Sequence, residues 1–356
     1  EVRSAMEPWL DRFANPHSPN RWGREGAAAI EVAREQVASG MPAGGKVVFT
    51  SGATEAINWA LKSVAAGAGE ERRRIVTVAT EHAAVLDTCE WLEARGFDVV
   101  RLPVQGDALV RLEDVRAAVD ARTLIVAVML VNNEIGVIQP VGEIAAIAHS
   151  AGALMLCDAV QGFGRMPVPD GPDLVAACAH KIHGPKMVGA LWMRDGLKLE
   201  PLIHGGGQEQ GLRSGTLSPM LVAGFGAAVK LALERRAADA AHVALLWNAA
   251  REALGPEWIV NGSPEARYKG NLNIRREGLD AARLISDLRD VAFSLGSACA
   301  SGSGRPSHVL RALGLSDREA RSSVRLGFGR YTTEAELVGA CQRIAAAAVA
   351  QQGLAA

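Results

Sequence analysis

Short apolar runs alternate with longer segments of helical period over the first two thirds of the chain. The apolar runs fall at residues 46–50, 74–79, 98–104, 123–130, 154–159 and 190–194. The helical patterns between them cover residues 53–66, 83–95 and 141–151. Strands that are apolar on both faces and separated by helices are typical of a mainly parallel sheet with helices on both sides. We therefore predict an α/β fold in which ligands bind at the carboxyl ends of the strands.

The pattern changes after a long helix that is predicted from Ser218 to Arg236. Beyond it helices are denser, and the two predicted strands, residues 271–275 and 322–328, lie further apart. An alanine-rich run, residues 343–350, predicts a terminal helix. The sequence therefore predicts a large domain over residues 1–236 and a smaller C-terminal α/β domain over residues 237–356.

Composition narrows the possible classes of protein. The 356 residues are 49% hydrophobic, and 38 Lys plus Arg balance 39 Asp plus Glu. This balance gives no electrostatic signature of binding to nucleic acid or to an anionic membrane. The longest apolar run, residues 123–131, is too short to span a bilayer, and no secretory leader is visible. Five cysteines without a C-x-x-C pair or a zinc-like spacing favour a cytoplasmic protein that holds no metal.

Polar residues follow the first two predicted strands. Ser51, Gly52, Ala53 and Thr54 form a turn into a helix, and the free N–H groups of a helix N-terminus can bind a phosphate. The same letters also suit an ordinary helix cap without a ligand. His82 follows the next strand, where it is either a cap or a ring that faces a ligand. Neither residue group decides the function alone.

Two further strands end in groups that need partners. Asn132, Asn133 and Glu134 follow the most apolar strand, where they are costly unless hydrogen-bonded. Asp158 ends a buried strand and Gln161 follows one turn later. A carboxylate in that position needs a cationic partner or a donor such as a protonated ring nitrogen.

The next segments supply an amine and further anion donors. Lys181 precedes a Gly-Pro pair, and a lysine in a dry site loses its proton and can react with a carbonyl; the alternative is a surface-loop lysine. Residues 204–216, which we call the glycine-rich segment, contain three adjacent glycines and the anion donors Arg213, Ser214 and Thr216. A phosphate site, a carboxylate, an amine and a ring-facing histidine together are what pyridoxal phosphate requires.

Cys299 has an unusual setting, in the sequence SLGSACASGSGRPS at residues 294–307. Buried cysteines usually have apolar neighbours, whereas here the neighbours are Gly, Ser and Ala. The pattern indicates an exposed thiol on a mobile loop, with an incidental cysteine in a turn as the alternative.

Eight motifs, in order, resemble those of the cysteine desulfurases in the class V aminotransferase group, and most of all the branch that serves iron–sulfur assembly. They are SGATEA, EHAAVLDTC, NNEIGVIQP, CDAVQ, HKIHGPK, GGGQEQGLRSGT, GSACASGSGRPSHVLRALG and SSVRLGFGR. The resemblance runs from Asn15 to Thr333. It implies a fold type I pyridoxal-phosphate-dependent transferase that forms a homodimer.

The resemblance also implies a reaction and its participants. L-cysteine would give L-alanine and a persulfide on Cys299, whose sulfur passes to an iron–sulfur scaffold or another acceptor protein. Lys181 would bind pyridoxal 5'-phosphate covalently, His82 would stack on its ring, and Asp158 would pair with the ring nitrogen. Arg325 and Asn133 would bind the substrate. The remaining cofactor-binding residues would be Ala53, Thr54, Asn133, Gln161, Cys178, Ala179, His180 and, from the second subunit, Thr216.

The sequence departs from the family pattern at four positions. Cys178 stands where a phosphate-binding Ser is usual, Met187 replaces a Gly, Leu295 replaces a Ser, and Asn20 replaces a His. Two alternatives remain open in the same family, a selenocysteine lyase or another class V β-lyase. A non-catalytic scaffold of sulfur transfer is a third, and the presence of Lys181, His82, Asp158 and Cys299 argues against it.

Overall fold

The structure is a computed structural model that describes residues 1–295 and 306–353. The chain divides into two compact units. The first comprises Glu1–Leu102, Leu112–Leu130 and Pro140–Arg236. The second comprises Pro103–Arg111, Val131–Gln139 and Ala237–Ala356.

A seven-stranded sheet forms the centre of the first unit. Its strands are β1 (Gly45–Thr50), β2 (Arg74–Val78), β3 (Asp98–Leu102), β4 (Thr123–Met129), β5 (Leu154–Asp158), β6 (Leu174–Cys178) and β7 (Gly189–Arg194). The spatial order is β1-β7-β6-β5-β4-β2-β3. Only β7 runs antiparallel to its neighbours, so the other six strands point in one direction. The predicted mainly parallel sheet is confirmed.

Strand β6 was not predicted from the sequence, although all five of its residues are buried. Its sequence, LVAAC, contains two alanines, which have low strand propensity, and it lies close behind Pro167, Pro169 and Pro172. Its position between β5 and β7, and not a strong local signal, makes this segment a strand.

Helices cover the sheet of the first unit. They are α1 (Val2–Met6), α2 (Arg21–Ala38), α3 (Ala53–Ala66), α4 (Ala83–Glu93), α5 (Leu112–Ala118) and α6 (Val141–Ser150). Helix α3 buries Ile57, Trp59 and Leu61 in the same apolar cluster as Ile75 of β2 and Ile125 of β4. This burial around most of the helix holds the N-terminus of α3 in place beside the sheet.

Helix α7 (Pro219–Leu254) is longer than the sequence analysis predicted. The predicted end at Arg236 is wrong, because residues 237–254 are rich in alanine and leucine and contain no glycine or proline. The helix ends where Gly255 and Pro256 supply a stop signal.

A four-stranded antiparallel sheet forms the centre of the second unit. Its strands are β8 (Ile259–Val260), β9 (Asn271–Arg275), β10 (Ser294–Leu295) and β11 (Ser323–Gly327), in the order β10-β11-β9-β8. The helices that follow α7 are α8 (Ala281–Asp287), α9 (His308–Ala312), α10 (Asp317–Arg321) and α11 (Glu334–Gly353). Trp247, Leu272, Val324 and Ile344 contribute to one core between these elements.

Gly189 brings the turn after β1 close to the sheet. It pairs with Thr50 on one side and with Cys178 on the other. A Cβ atom at this position would lie 2.7 Å from the backbone carbons of Gly52 and 2.8 Å from the carbonyl oxygen of Ala177. The missing side chain therefore permits the close approach of residue 52 to β6 and β7.

We expect Gly189→Ala to destabilise the protein by about 1–3 kcal/mol, because the methyl group meets backbone atoms that cannot rotate away. Urea unfolding of both proteins measures the difference. Gly69→Ala is the control, since a Cβ at Gly69 has nothing within 4 Å. An equal midpoint for Gly189→Ala and the wild type would show that the turn moves without cost.

Candidate active site

The carboxyl ends of the parallel strands lie along one edge of the first unit's sheet, because β1, β2, β4, β5 and β6 run in the same direction. Residues 51–54, which we call the anion-binding turn, follow β1. His82 lies beyond β2, Asp158 ends β5, and Lys181 lies beyond β6. The fold therefore brings four of the sequence-predicted groups to one edge, as expected for a ligand site in such a sheet.

Asp158 is buried at this edge with an incomplete set of donors. Its Oδ1 accepts a hydrogen bond of 2.9 Å from the Val160 N–H. Its other carboxylate oxygen accepts no hydrogen bond from any residue in the described part of the chain. Burial raises the pKa of Asp158, while the charges of His82 and Lys181 lower it. A cationic donor is what this carboxylate lacks.

His82 has a defined orientation, because it caps helix α4. Its Nδ1 accepts a hydrogen bond of 3.0 Å from the Ala84 N–H. An accepting Nδ1 carries no proton, so the proton of the neutral ring is assigned to Nε2. The residue therefore acts as a cap, one of the two sequence interpretations.

Glu81 is a buried acid that the sequence analysis missed. Its side chain has no solvent exposure, and Oε1 accepts a hydrogen bond of 2.7 Å from the Met129 N–H of β4. Burial and the nearby charge of Asp158 hold the pKa of Glu81 well above its usual range. Burial therefore opposes a second negative charge beside Asp158.

Arg165 fixes the surroundings of Lys181. Its Nη2 donates a hydrogen bond of 2.6 Å to the carbonyl oxygen of Lys181, and its Nη1 donates one of 2.8 Å to Oε1 of Gln161. Lys181 lies in a short 3₁₀ turn, Ala179–Ile182. One guanidinium thus holds both the backbone of the lysine and the amide of Gln161, and no motif in the sequence indicated it.

The side chains of Cys178 and His180 add no negative charge near the anion-binding turn. The thiol Sγ lies 4.0 Å from Nε2 of His180. Burial raises the pKa of the Cys178 thiol to about 11. Partial burial and the positive charges of Lys181 and Lys186 lower the pKa of His180. Neither group therefore places an anion here, and the N–H groups of Ala53 and Thr54 open helix α3 without acceptors in the helix itself.

The predicted substrate-binding residues form a contact within the second unit. Nη1 of Arg325, on β11, donates a hydrogen bond of 2.9 Å to the carbonyl oxygen of Asn133. In the described residues, the buried Oδ1 of Asn133 has no hydrogen-bond partner. A guanidinium next to an unsatisfied amide suits recognition of a small polar ligand with a carboxylate.

The other residues that the sequence predicts for the site are Thr216, Ala179 and Cys299. Thr216 lies exposed on the glycine-rich segment, and Ala179 is buried at the start of the Lys181 turn. Cys299 lies outside the described residues. Within those residues, no group of three His, Cys, Asp or Glu side chains could hold a metal ion.

The groups at the sheet edge fit pyridoxal phosphate. A helix N-terminus with neutral neighbours suits a phosphate, and Lys181 supplies an amine. The buried carboxylate of Asp158 suits a protonated ring nitrogen. No other common cofactor needs this combination of a phosphate site, an amine and a buried carboxylate.

The family model for class-V aminotransferases matches residues 2–338. The chain is 42% identical over 347 residues to the cysteine desulfurase IscS of Rickettsia akari, and the aligned region covers 94% of this chain and 85% of the relative. It is 44% identical over 348 residues to the mitochondrial cysteine desulfurase of Arthroderma benhamiae, and the aligned region covers 94% of this chain and 69% of the relative.

Two solved structures are also similar. A NifS-like protein superposes with a TM-score of 0.88 at 34% identity, covering 97% of this chain and 94% of the other. A structure described as SspA in complex with cysteine gives a TM-score of 0.82 at 35% identity, covering 93% and 96%. The chain belongs to the class-V aminotransferase family and, within it, to the cysteine desulfurases.

Met187 shows why one departure from the family pattern matters physically. Its φ is 64°, in the left-handed region that favours glycine, and its side chain is 71% exposed. A side chain in this region costs about 1–2 kcal/mol, because Cβ approaches the following carbonyl oxygen. The resemblance places a glycine here, and the backbone explains that preference.

We expect Met187→Gly to raise the free energy of unfolding by up to about 1 kcal/mol, since relief of strain exceeds the extra entropy of the unfolded chain. Urea unfolding measures the change. Met41→Gly is the control, because Met41 is not in the left-handed region, so glycine relieves no strain there and the stability should fall. A loss of stability in both variants would contradict the strain at Met187.

Proposed function

We propose that this protein is a pyridoxal-phosphate-dependent cysteine desulfurase that converts L-cysteine to L-alanine and retains the sulfur as a persulfide on Cys299. The observation that carries the proposal is the buried carboxylate of Asp158, which accepts a hydrogen bond from the Val160 N–H and lies within electrostatic range of Lys181 and His82. The names of the relatives and the cysteine in one similar structure support the substrate.

The cofactor-binding roles follow from the groups at the sheet edge. Ala53 and Thr54 donate their N–H groups to the phosphate, together with Cys178, Ala179 and His180. Lys181 would hold the cofactor covalently through its amine, Asp158 would accept a hydrogen bond from the ring nitrogen, and His82 would cover the ring. Asn133 and Gln161 are assigned to the ring hydroxyl. Because Cys178 is a neutral thiol, it is a weaker phosphate donor than a serine.

Bound pyridoxal phosphate withdraws electrons from Cα of an attached amino acid and so weakens the bonds around it. Asp158 maintains this property by keeping the ring nitrogen protonated. The amine of Lys181 removes the proton from Cα of the substrate and returns a proton to the carbon skeleton later. Arg165 holds the backbone of Lys181 during these transfers.

Arg325 binds the substrate carboxylate through its guanidinium, and the amide of Asn133 contributes a polar contact. One guanidinium nitrogen already donates to the carbonyl oxygen of Asn133. This contact limits rotation of Arg325 and leaves its other N–H groups for a carboxylate.

Cys299 performs the sulfur transfer. Its thiolate attacks the sulfur of the bound cysteine, an S–S bond forms, and the Cβ–S bond breaks. The electron pair of that bond stays with the carbon fragment, which takes up a proton and leaves as alanine. No external oxidant is needed, because the sulfur is oxidised as Cβ is reduced.

The four described cysteines are poor alternatives as nucleophiles. Cys89, Cys157, Cys178 and Cys341 are all buried. Burial raises the pKa of Cys89 and of Cys341 to about 12. They remain thiols at neutral pH, and the thiolate is the reactive form.

The assembly and the cellular setting belong to the same proposal. Two copies form a homodimer in which Thr216 of each chain contacts the phosphate held by the other. The persulfide sulfur passes to an iron–sulfur scaffold or another acceptor protein in the cytoplasm. Residues 237–356 form the smaller domain that carries Cys299. In the described residues, no helix is long and apolar enough to cross a membrane.

We expect Cys299→Ser to bind pyridoxal phosphate and cysteine as the wild type does, but to lose sulfur transfer by at least about 100-fold, because a serine hydroxyl is scarcely ionised near neutral pH. Alanine formation and the mass of the Cys299 peptide after addition of cysteine are the measurements. Cys341→Ala is the matched control and should keep the extra 32 Da on that peptide, a shift of about one sulfur atom.

Lys181→Ala completes this experiment, because it should abolish the covalent link to the cofactor while Cys299 is intact. If the serine variant forms alanine at the normal rate, or another cysteine carries the sulfur, a plain β-lyase or selenocysteine lyase is the better assignment. A borohydride-stable cofactor adduct in Lys181→Ala would move the covalent link to another lysine.

We expect Arg325→Lys to raise the cysteine concentration for half-saturation about tenfold, because lysine lacks the planar fork that binds a carboxylate through two N–H groups. Steady-state kinetics measure it. Arg311→Lys is the control, since Arg311 makes a similar fork with Asp317 on the surface of the same unit. Unchanged half-saturation in Arg325→Lys would place the carboxylate elsewhere.

A further inference from the structure

Two ion pairs hold the glycine-rich segment in the first unit. Arg34 of α2 donates two hydrogen bonds of 2.7 Å to Glu209. Arg213 donates hydrogen bonds of 2.7 and 3.0 Å to Glu55 in the first turn of α3. Only the second pair touches the helix that begins at the anion-binding turn, so the two pairs differ in what they can do to a bound anion.

Glu55 has three hydrogen bonds to its carboxylate. Besides the two from Arg213, its Oε2 accepts one of 2.8 Å from the Ser51 N–H. The side chains of Glu55 and Arg213 are only 12% and 17% exposed. One carboxylate therefore connects the start of the anion-binding turn to the glycine-rich segment, from a site largely screened from water.

The negative charge of Glu55 opposes phosphate binding at the anion-binding turn. A glutamate in the first turn stabilises the helix, because it faces the positive end of the helix dipole. The preceding residue is Thr54, whose N–H is assigned to the phosphate. A carboxylate at residue 55 without a compensating cation therefore repels the phosphate. Burial opposes ionisation of Glu55, but the hydrogen bonds from Arg213 and Ser51 outweigh it and lower its pKa. Glu55 thus remains ionised and needs a compensating cation.

We propose that Arg213 is a positioning residue for the cofactor phosphate: it neutralises Glu55 beside the anion-binding turn and joins this turn to the segment that carries Thr216. The inference rests on the proposed binding of pyridoxal phosphate. It assigns to Arg213 an electrostatic role that is distinct from direct contact with the ligand.

A purely mechanical role would be to tether the glycine-rich segment, and Arg34 offers the comparison. Arg34 binds the same segment with the same fork, and Glu209 is buried and also accepts the Phe49 N–H at 2.8 Å. This pair compensates its own charges and makes no hydrogen bond to residues 51–54, although the charge of Glu209 also acts on Arg213. Loss of Arg34 loosens the segment but leaves Glu55 neutralised.

The test compares equilibrium binding of pyridoxal phosphate and of pyridoxal to the full-length apoprotein, followed by visible absorbance. We expect Arg213→Met to weaken binding of pyridoxal phosphate about tenfold and to change binding of pyridoxal by less than about twofold, because pyridoxal lacks the phosphate charge. Glu55→Gln keeps an oxygen for the Ser51 N–H and removes the negative charge. It should bind pyridoxal phosphate at least as tightly as the wild type.

The double variant Glu55→Gln/Arg213→Met should recover most of the affinity that Arg213→Met loses, since no bare carboxylate remains. The double variant Arg34→Met/Glu209→Gln, which removes this pair without leaving a bare carboxylate, should bind both ligands with nearly wild-type affinity. Thermal shifts with inorganic phosphate report on the same charge without the covalent link, and they also show that each variant is folded.

The inference is overturned if Glu55→Gln weakens binding as much as Arg213→Met does, or if the double variant is no tighter than Arg213→Met. Equal losses for pyridoxal and pyridoxal phosphate would likewise show a tether without an electrostatic role. If the wild-type protein itself binds no pyridoxal phosphate, the proposed function fails, and that result is distinct from a failure of the charge argument.

Discussion

The carboxylate of Asp158 constrains the rest of the sheet edge, because a buried negative charge without a cationic partner is strongly unfavourable. Three features of the described structure reduce this cost. The charge of Lys181 lowers the pKa of Asp158, the Val160 N–H donates to one oxygen, and burial raises the pKa of the neighbouring acid Glu81. One carboxylate oxygen still lacks a donor, and a protonated ring nitrogen satisfies it. The site is therefore shaped electrostatically for a cationic ligand group before any ligand is bound.

Much of this edge could be predicted from the sequence, because polar residues directly after apolar strands are a local signal. His82, Asp158 and Lys181 were all located in this way, and the parallel sheet brings them to one edge. Each of the motifs was ambiguous alone, and their order along the chain resolved the ambiguity. The roles of the individual residues remain predictions that the experiments above test.

The supporting residues could not be predicted, because their partners lie far away in the sequence. Glu81 and Met129 are 48 residues apart, and Arg213 and Glu55 are 158 apart. Helix α7 is the opposite case. Its continuation past Arg236 could be predicted from local helix propensity, but the sequence analysis placed a domain boundary there and ended the helix at that residue. Contacts that depend on tertiary folding leave no local pattern, and these contacts hold the functional groups in place.

The second unit repeats the electrostatic arrangement found around Asp158. Glu134 is buried beside Arg325, and it accepts a hydrogen bond from the Ser307 hydroxyl. Burial raises the pKa of Glu134, although Ser307 and the charges of His308 and Arg325 act in the opposite direction. An acid shifted towards neutrality competes weakly for a nearby cation. In both units, burial thus raises the pKa of an auxiliary acid, Glu81 near Asp158 and Glu134 near Arg325, so that Asp158 in the first unit and Arg325 in the second keep their charges for a ligand.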